Sequence, residues 1–179
     1  MKFSICIPTH RHLQDALIPC LQSLQKYTNL TDCEVLVVAN GCGNDFTREY
    51  VESLGAPFKL IWLDEAAGYT KATNVGIQAA QGEYILLLNN DCQILESPFN
   101  SWLETLVAPM ADPSVGMVGI HEIWSEEIKA NFIVFYCALI RRSVFESIGV
   151  LDEIFSPGHG EDIDFCARVT RAGYKYVNI

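Results

Sequence analysis

The chain has 179 residues, half of them hydrophobic and 19% charged. That suits one folded domain with a proper core and argues against a disordered chain. Its 22 acidic against 12 basic residues give a net charge of −10, the wrong sign for a general nucleic-acid binder.

The predicted elements alternate. Phe3 to Ile7 is a short apolar run ended by Pro8, the pattern of a buried strand. Leu13, Leu17, Leu21 and Leu24 recur at helical spacing and predict a helix from about Leu13 to Tyr27. Glu34 to Ala39 reads as a second strand. A glycine-rich turn follows, then a helix around Asp45 to Leu54, stopped by Gly55. Phe58 to Leu63 is a third strand, Lys71 to Ala80 a helix, and Glu83 to Leu88 a fourth strand. A helix from about Pro98 to Met110 precedes a strand at Val115 to Ile120. Asn131 to Ile140, β-branched and aromatic, predicts one longer strand. Helices over Ser143 to Ile148 and Asp162 to Ala172 follow, each ended by glycine. The chain stops at a strand-like YKYVNI, which raises the expectation that residues 1–179 are one domain incomplete at its C-terminal end. Strands alternating with helices predict an α/β sandwich on a mainly parallel sheet.

In such sheets ligands sit beyond the carboxyl ends of the strands. The polar residues there are Pro8-Thr9-His10, Asn40-Gly41-Cys42, Asp64-Glu65 and Asn89-Asn90-Asp91, and they are expected to share one rim. Asp91, among amide oxygens at a strand end, suits a hard divalent cation; Asn-Asn-Asp is equally ordinary turn chemistry. Glu161, Asp162 and Asp164 open a helix after Gly158 and Gly160. They suit either a general base or a helix N-terminus favoured by its dipole; the Asp164 and Arg168 pair reads as structural. Gly68, Lys71 and Asn74 lie at the start of a helix, where a cation could meet a phosphate, although a surface lysine there is commonplace. Gly41 and Gly43, between a strand and a helix, weakly suggest a dinucleotide fingerprint and an NAD-linked oxidoreductase, but Phe46 stands at the third glycine position. The four histidines have no metal spacing. The seven cysteines contain no C-x-x-C, so they read as small core residues in a reducing compartment. No apolar run is long enough to span a membrane, and Phe3–Pro8 is too short for a signal peptide.

Five stretches in order, FSICIPTHRH, EVLVVANGCGND, GYTKATNVGIQAAQGEYILLLNND, CALIRRSVFESIGVLDEIF and GEDIDFCARVTRAGYK, resemble the family 2 glycosyltransferases. The resemblance implies the GT-A fold, a Rossmann-like sandwich, and an inverting transfer of a hexosyl group from a nucleotide-sugar donor to an acceptor hydroxyl. It implies that Asp91 binds Mn²⁺ or Mg²⁺ on the donor diphosphate, with Asn89 in place of a first acid and Asn90 between them. Glu161-Asp162 matches a Glu-Asp motif whose Asp is the catalytic base. Pro8, Thr9, His10, Asn40 and Gly41 match positions around the nucleoside, and Gly68, Lys71 and Asn74 match the segment that passes the phosphates. Where the family often has Asp-Asn-Gly-Ser or Asp-Asp-Gly-Ser, this chain has Ala39-Asn40-Gly41-Cys42. The base of the donor (UDP-, GDP- or dTDP-linked) and the acceptor (sugar, lipid or protein) are left open. So is a non-catalytic binding relic of the same fold. The implied location is cytoplasmic, with peripheral membrane attachment of a full-length protein a further expectation.

Overall fold

The computed structural model describes residues 1–127 and 129–179. A seven-stranded sheet runs through them: β1 (Phe3–Thr9), β2 (Cys33–Asn40), β3 (Phe58–Leu63), β4 (Tyr84–Leu88), β5 (Val115–Gly119), β8 (Cys137–Arg141) and β9 (Lys175–Asn178). The strand order is β3-β2-β1-β4-β8-β5-β9. All neighbours pair in parallel except β8, which runs antiparallel to both β4 and β5. Its helices are α1 (Ile18–Tyr27), α2 (Thr47–Leu54), α3 (Tyr69–Ala79), α4 (Ser101–Val107), α5 (Arg142–Ile148) and α6 (Glu161–Arg171).

Alternation along the central strands explains their unbroken hydrophobicity. Successive side chains point to opposite faces of a sheet. Ile5, Ile7, Leu86 and Leu88 pack on one face with Leu17, Leu21, Leu24, Leu103 and Leu106. Cys6, Ile85 and Leu87 pack on the other with Ile77, Val144, Phe145, Phe165 and Val169. A strand covered on both sides has no polar face to offer. The three leucines 86–88 therefore feed two cores, and the first residues free of either are Asn89 to Asp91.

Two expectations are corrected. The run predicted as one strand from Asn131 to Ile140 is two. Residues 130–133 form β7 (Ala130–Ile133), paired with β6 (Glu122–Ser125) in a separate two-stranded sheet, and β8 begins at Cys137. Between them the backbone turns to serve other partners: Val134 N–H bonds to His121 O, Phe135 O accepts from the Tyr69 hydroxyl, and Tyr136 O accepts from Asn89 N–H. Residue type alone cannot register that change of partner. The predicted helix from Leu13 to Tyr27 opens instead as a π-helical turn, Leu13–Leu17. Ala16 and Leu17 N–H both bond to His12 O. Pro19 has no N–H to offer Asp15 O, and its ring crowds that carbonyl, so the regular register starts only at Ile18.

At the amino ends of the strands a buried carboxylate ties three elements together. Glu34 on β2 accepts from Ser4 Oγ at 2.6 Å, Gln81 N at 2.7 Å and Lys59 Nζ at 2.8 Å. Burial pulls its pKa up, but the bonds from Lys59, Ser4 and Gln81 outweigh burial and hold it below its ordinary 4.5. A carboxyl with a depressed folded pKa contributes stability that is present above the unfolded value and lost as pH falls through the folded one. Glu34→Gln should therefore lower unfolding free energy at pH 7 by about 1–3 kcal/mol. Urea titrations should show the loss shrinking as pH falls below the ordinary 4.5 and the wild-type group protonates.

Candidate active site

The order β3-β2-β1-β4 means the chain winds one way from β1 and then returns to β1's other edge. Ligands of open α/β sheets bind at such a switch, beyond the carboxyl ends. A cavity of about 460 Å³ lies there. Pro8 and Thr9 of β1 form its floor, Asn40 of β2 one flank, and Asn90 and Asp91 after β4 the other; His10, His12, Asp15, Ala16 and Tyr69 complete it. Asn90 Nδ2 donates to Thr9 Oγ1 at 2.9 Å and closes the gap between the two strand ends. On the β2 side, His10 Nδ1 donates to Asn40 O at 2.6 Å, and Asn40 Oδ1 accepts from Ala67 N at 2.7 Å.

A second cavity of about 670 Å³ adjoins it, lined by Asn89, Phe132, Tyr136, Pro157, His159, Glu161 and Asp162 among others. Tyr69 lines both cavities, and Asn89 and Asn90, neighbours in the chain, face one each. Glu161 is buried, and its Oε2 has no hydrogen-bond partner. Asp162 is half-buried and accepts from Ile163 N at 2.8 Å. Burial raises the pKa of both carboxyls; the neighbouring Asp162 charge adds to the rise at Glu161.

Pro8, Thr9, His10, Asn40, Asn90 and Asp91 thus meet in one cavity, and Asn89, Glu161 and Asp162 in the next. Other expected residues lie elsewhere. Asp64 faces a separate hollow on edge strand β3, with Gly43, Phe46 and Trp62. Gly41 sits at φ +68, where a methyl group would collide with the Ala66 backbone. The Gly41 and Gly43 turn therefore packs beside the switch and lines neither cavity, unlike a dinucleotide loop. Lys71 is exposed and lines neither cavity. Asn74 is fully committed to structure: Nδ2 donates to Leu151 O at 2.9 Å, and Oδ1 accepts from Leu151 N at 3.0 Å. It holds the segment leading to Glu161 and offers nothing to a phosphate.

Gly68 has a related task. At φ +85 and ψ 167, its backbone lies in a region reserved for glycine, and an added Cβ would stand 2.5 Å from Pro157 Cα. Tyr69 N–H bonds to Pro157 O at 2.6 Å, and Ser156 Oγ to Ala67 O at 3.0 Å. These contacts join the two cavities. Tyr69, His12 and Asp15 went unmarked in the sequence. Tyr69 carries no charge, and the other two lie in what reads as an ordinary helix start.

Among the described residues no group of three or more His, Cys, Asp or Glu is placed to hold a metal ion. Among the described residues no Lys or Arg lines either cavity. Beside Asn90 at the end of β4, the switch offers a cation the exposed carboxylate of Asp91 and the buried Asn89 Oδ1, which has no partner among the described residues; the cavity's other carboxylate, Asp15, is bonded to His12. That oxygen set fits a hard divalent ion whose shell is completed by a bound diphosphate, and does not fit one held by protein groups alone.

The fold is that of the GT-A glycosyltransferases. The mannosyltransferase PcManGT from Pyrobaculum calidifontis, solved with GDP-Man and Mn²⁺, superposes with a TM-score of 0.79 at 20% identity, covering 99% of this chain and 54% of that one. GalNAc-T7 with UDP, GalNAc and Mn²⁺ gives 0.84 at 15% identity, over 98% and 42%. S. aureus TarS 1-349 in complex with UDP-GlcNAc gives 0.75 at 22%, over 99% and 56%. Residues 4–131 match the family model described as Glycosyl transferase family 2, and the chain belongs to that family. The match takes in the switch and Asp91 and ends before α6. The O-antigen biosynthesis protein RfbC of Myxococcus xanthus is 28% identical over 98% of this chain, and glycosyltransferase AglE of Haloferax volcanii 27% over 96%. The chain spans 16% of the first and 62% of the second.

The glycine contacts give a paired test. Gly43 also has a positive φ, +64, but nothing lies within 4 Å of an added Cβ. Gly43→Ala should cost about 1 kcal/mol of backbone strain. Gly68→Ala should cost more, about 2–4 kcal/mol, because strain and collision with Pro157 add. Chemical unfolding of the two variants checks the order.

Proposed function

We propose that this chain carries a glycosyltransferase site that moves a sugar from a nucleotide-sugar donor to an acceptor hydroxyl, with inversion at the anomeric carbon. The observation that carries the reading is the adjoining pair of cavities. One has Asp91 at the sheet's switch point, the other has a half-buried Asp162. Belonging to family 2, and a fold shared with proteins solved with GDP-Man or UDP-GlcNAc, support it.

The first cavity holds the nucleoside diphosphate, with Pro8, Thr9, His10 and Asn40 along the nucleoside and Asn90 and Asp91 at the phosphate end. Gly41 and Gly68 shape the loops around it. A net charge of −10, with no Lys or Arg on either cavity wall, leaves a diphosphate without a cationic side chain. A Mn²⁺ or Mg²⁺ ion held by Asp91, with Asn89 near it, would supply that missing positive charge.

Asp162 accepts the proton of the acceptor hydroxyl. The oxygen then bonds to the anomeric carbon from the face opposite the diphosphate, and the bond from that carbon to the diphosphate oxygen breaks. One displacement gives one inversion. Burial raises the Asp162 pKa and so strengthens it as a base. Glu161 lies buried beside it, its own pKa raised by burial and by the Asp162 charge. Tyr69, between the cavities, marks where the anomeric carbon sits. All seven cysteines are free, in keeping with a reducing, cytoplasmic setting. No described helix is long and apolar enough to cross a membrane.

The test is a thermal-shift screen with GDP-mannose, UDP-GlcNAc and dTDP-glucose, with and without Mn²⁺, followed by a transfer assay on the active donor. One donor should stabilise the chain only with Mn²⁺, and Asp91→Asn should abolish that shift. Asp162→Asn should keep the shift and lose transfer by about 10²-fold or more. Transfer by the wild type should fall at acid pH, with its midpoint above the ordinary Asp value of 3.8, because the base must be ionised. A binding relic would show the shift and no transfer; no shift with any donor refutes the site.

A further inference from the structure

We propose that the first cavity reads guanine, so that the donor is a GDP-sugar. This rests on the nucleotide-sugar reading above. The argument starts from the segment between β1 and the π-helical turn. Arg11 and His12 both take left-handed backbone angles, φ 58 and 56, which non-glycine residues occupy only at a cost. Arg11 N–H bonds to Cys42 Sγ, so this reversal is fastened on the β2 side. The π-helical turn follows at once. Strained pairs and π turns of this kind gather at ligand sites. Here they set His12 and Asp15 on the cavity wall.

The wall they make is rich in acceptors. Asn40 O can only accept, so His10 Nδ1 carries the proton in their 2.6 Å bond. In the neutral ring that leaves His10 Nε2 as an acceptor. Asp15 bonds to His12 Nδ1 at 3.0 Å through one carboxylate oxygen, which leaves it further acceptor capacity. Asn40 Oδ1 is taken by Ala67 N–H, so Asn40 offers a ligand only its N–H₂ donors. Asn40, at the end of β2, lies across β1 from the end of β4 that carries Asn90 and Asp91.

Guanine is the base whose edge matches. It presents two adjacent donor groups, N1–H and the N2 amine, for the carboxylate, with the O6 acceptor next to them for Asn40. Uracil and thymine present one N–H between two carbonyl oxygens, which an acceptor wall repels. Adenine and cytosine set a bare ring nitrogen beside their amine.

Titration calorimetry of the full chain in Mn²⁺ buffer, with GDP, IDP, UDP and dTDP, tests this. Inosine differs from guanosine only in lacking the N2 amine. GDP should bind at least about tenfold more tightly than IDP, UDP or dTDP. Asp15→Asn should erase the GDP preference over IDP, weakening GDP more than IDP, which keeps only the N1–H bond; an unchanged thermal midpoint without nucleotide shows that the variant is folded. UDP or dTDP binding as tightly as GDP would overturn the guanine assignment and keep the donor site. So would equal binding of GDP and IDP, or a preference that survives in Asp15→Asn. Binding of none of the four would overturn both.

Discussion

The site depends on the place where β4 returns to lie against β1. Parallel pairing runs from Phe3 and Tyr84 to Cys6 and Leu87, and beyond it the strands part. The bond from Asn90 to Thr9 spans the opening. Both strands are buried on two faces, so neither can shift register without moving two cores at once. Asp91 therefore stands on rigid backbone although its own side chain is exposed.

The second carboxylate is placed by different means. Asp162 lies in the first turn of α6, and its position relative to the switch is set by small contacts around α3. Gly68 against Pro157, Tyr69 N–H to Pro157 O and Asn74 to Leu151 all act on the segment from 151 to 161. None of these residues needs to touch a substrate to matter. They fix how far Asp162, the proposed base, stands from the cavity proposed for the donor, and a shift of about 1 Å in such a spacing is enough to slow a displacement markedly.

Much of this was legible in the residues. The triple leucine before Asn89, Pro8 near the end of β1 and the glycines after α2, α3, α5 and α6 located strands, edges and rim. Burial on both faces replaces the polar alternation of a half-exposed strand by a short unbroken apolar run, which is how these strands read. What stayed hidden depends on long-range partners. The 131–140 run gave no sign that residues 134–136 leave the sheet to bind Asn89 and Tyr69. Asn74 was expected near the phosphates because it matches the family segment that passes them; its claim by Leu151, 77 residues away, has no local signature. Asp15 looked helical because the periodicity of its leucines persists through the π turn, while the reversal at Arg11 and His12 is invisible in residue type.

The most direct test of the account is a crystal structure of this chain with a hydrolysis-resistant nucleotide-sugar analogue and Mn²⁺. The account places the diphosphate and the ion at Asp91 and the sugar's anomeric carbon beside Tyr69, open toward Asp162. A nucleotide bound elsewhere, or an anomeric carbon walled off from the Asp162 cavity, would contradict it.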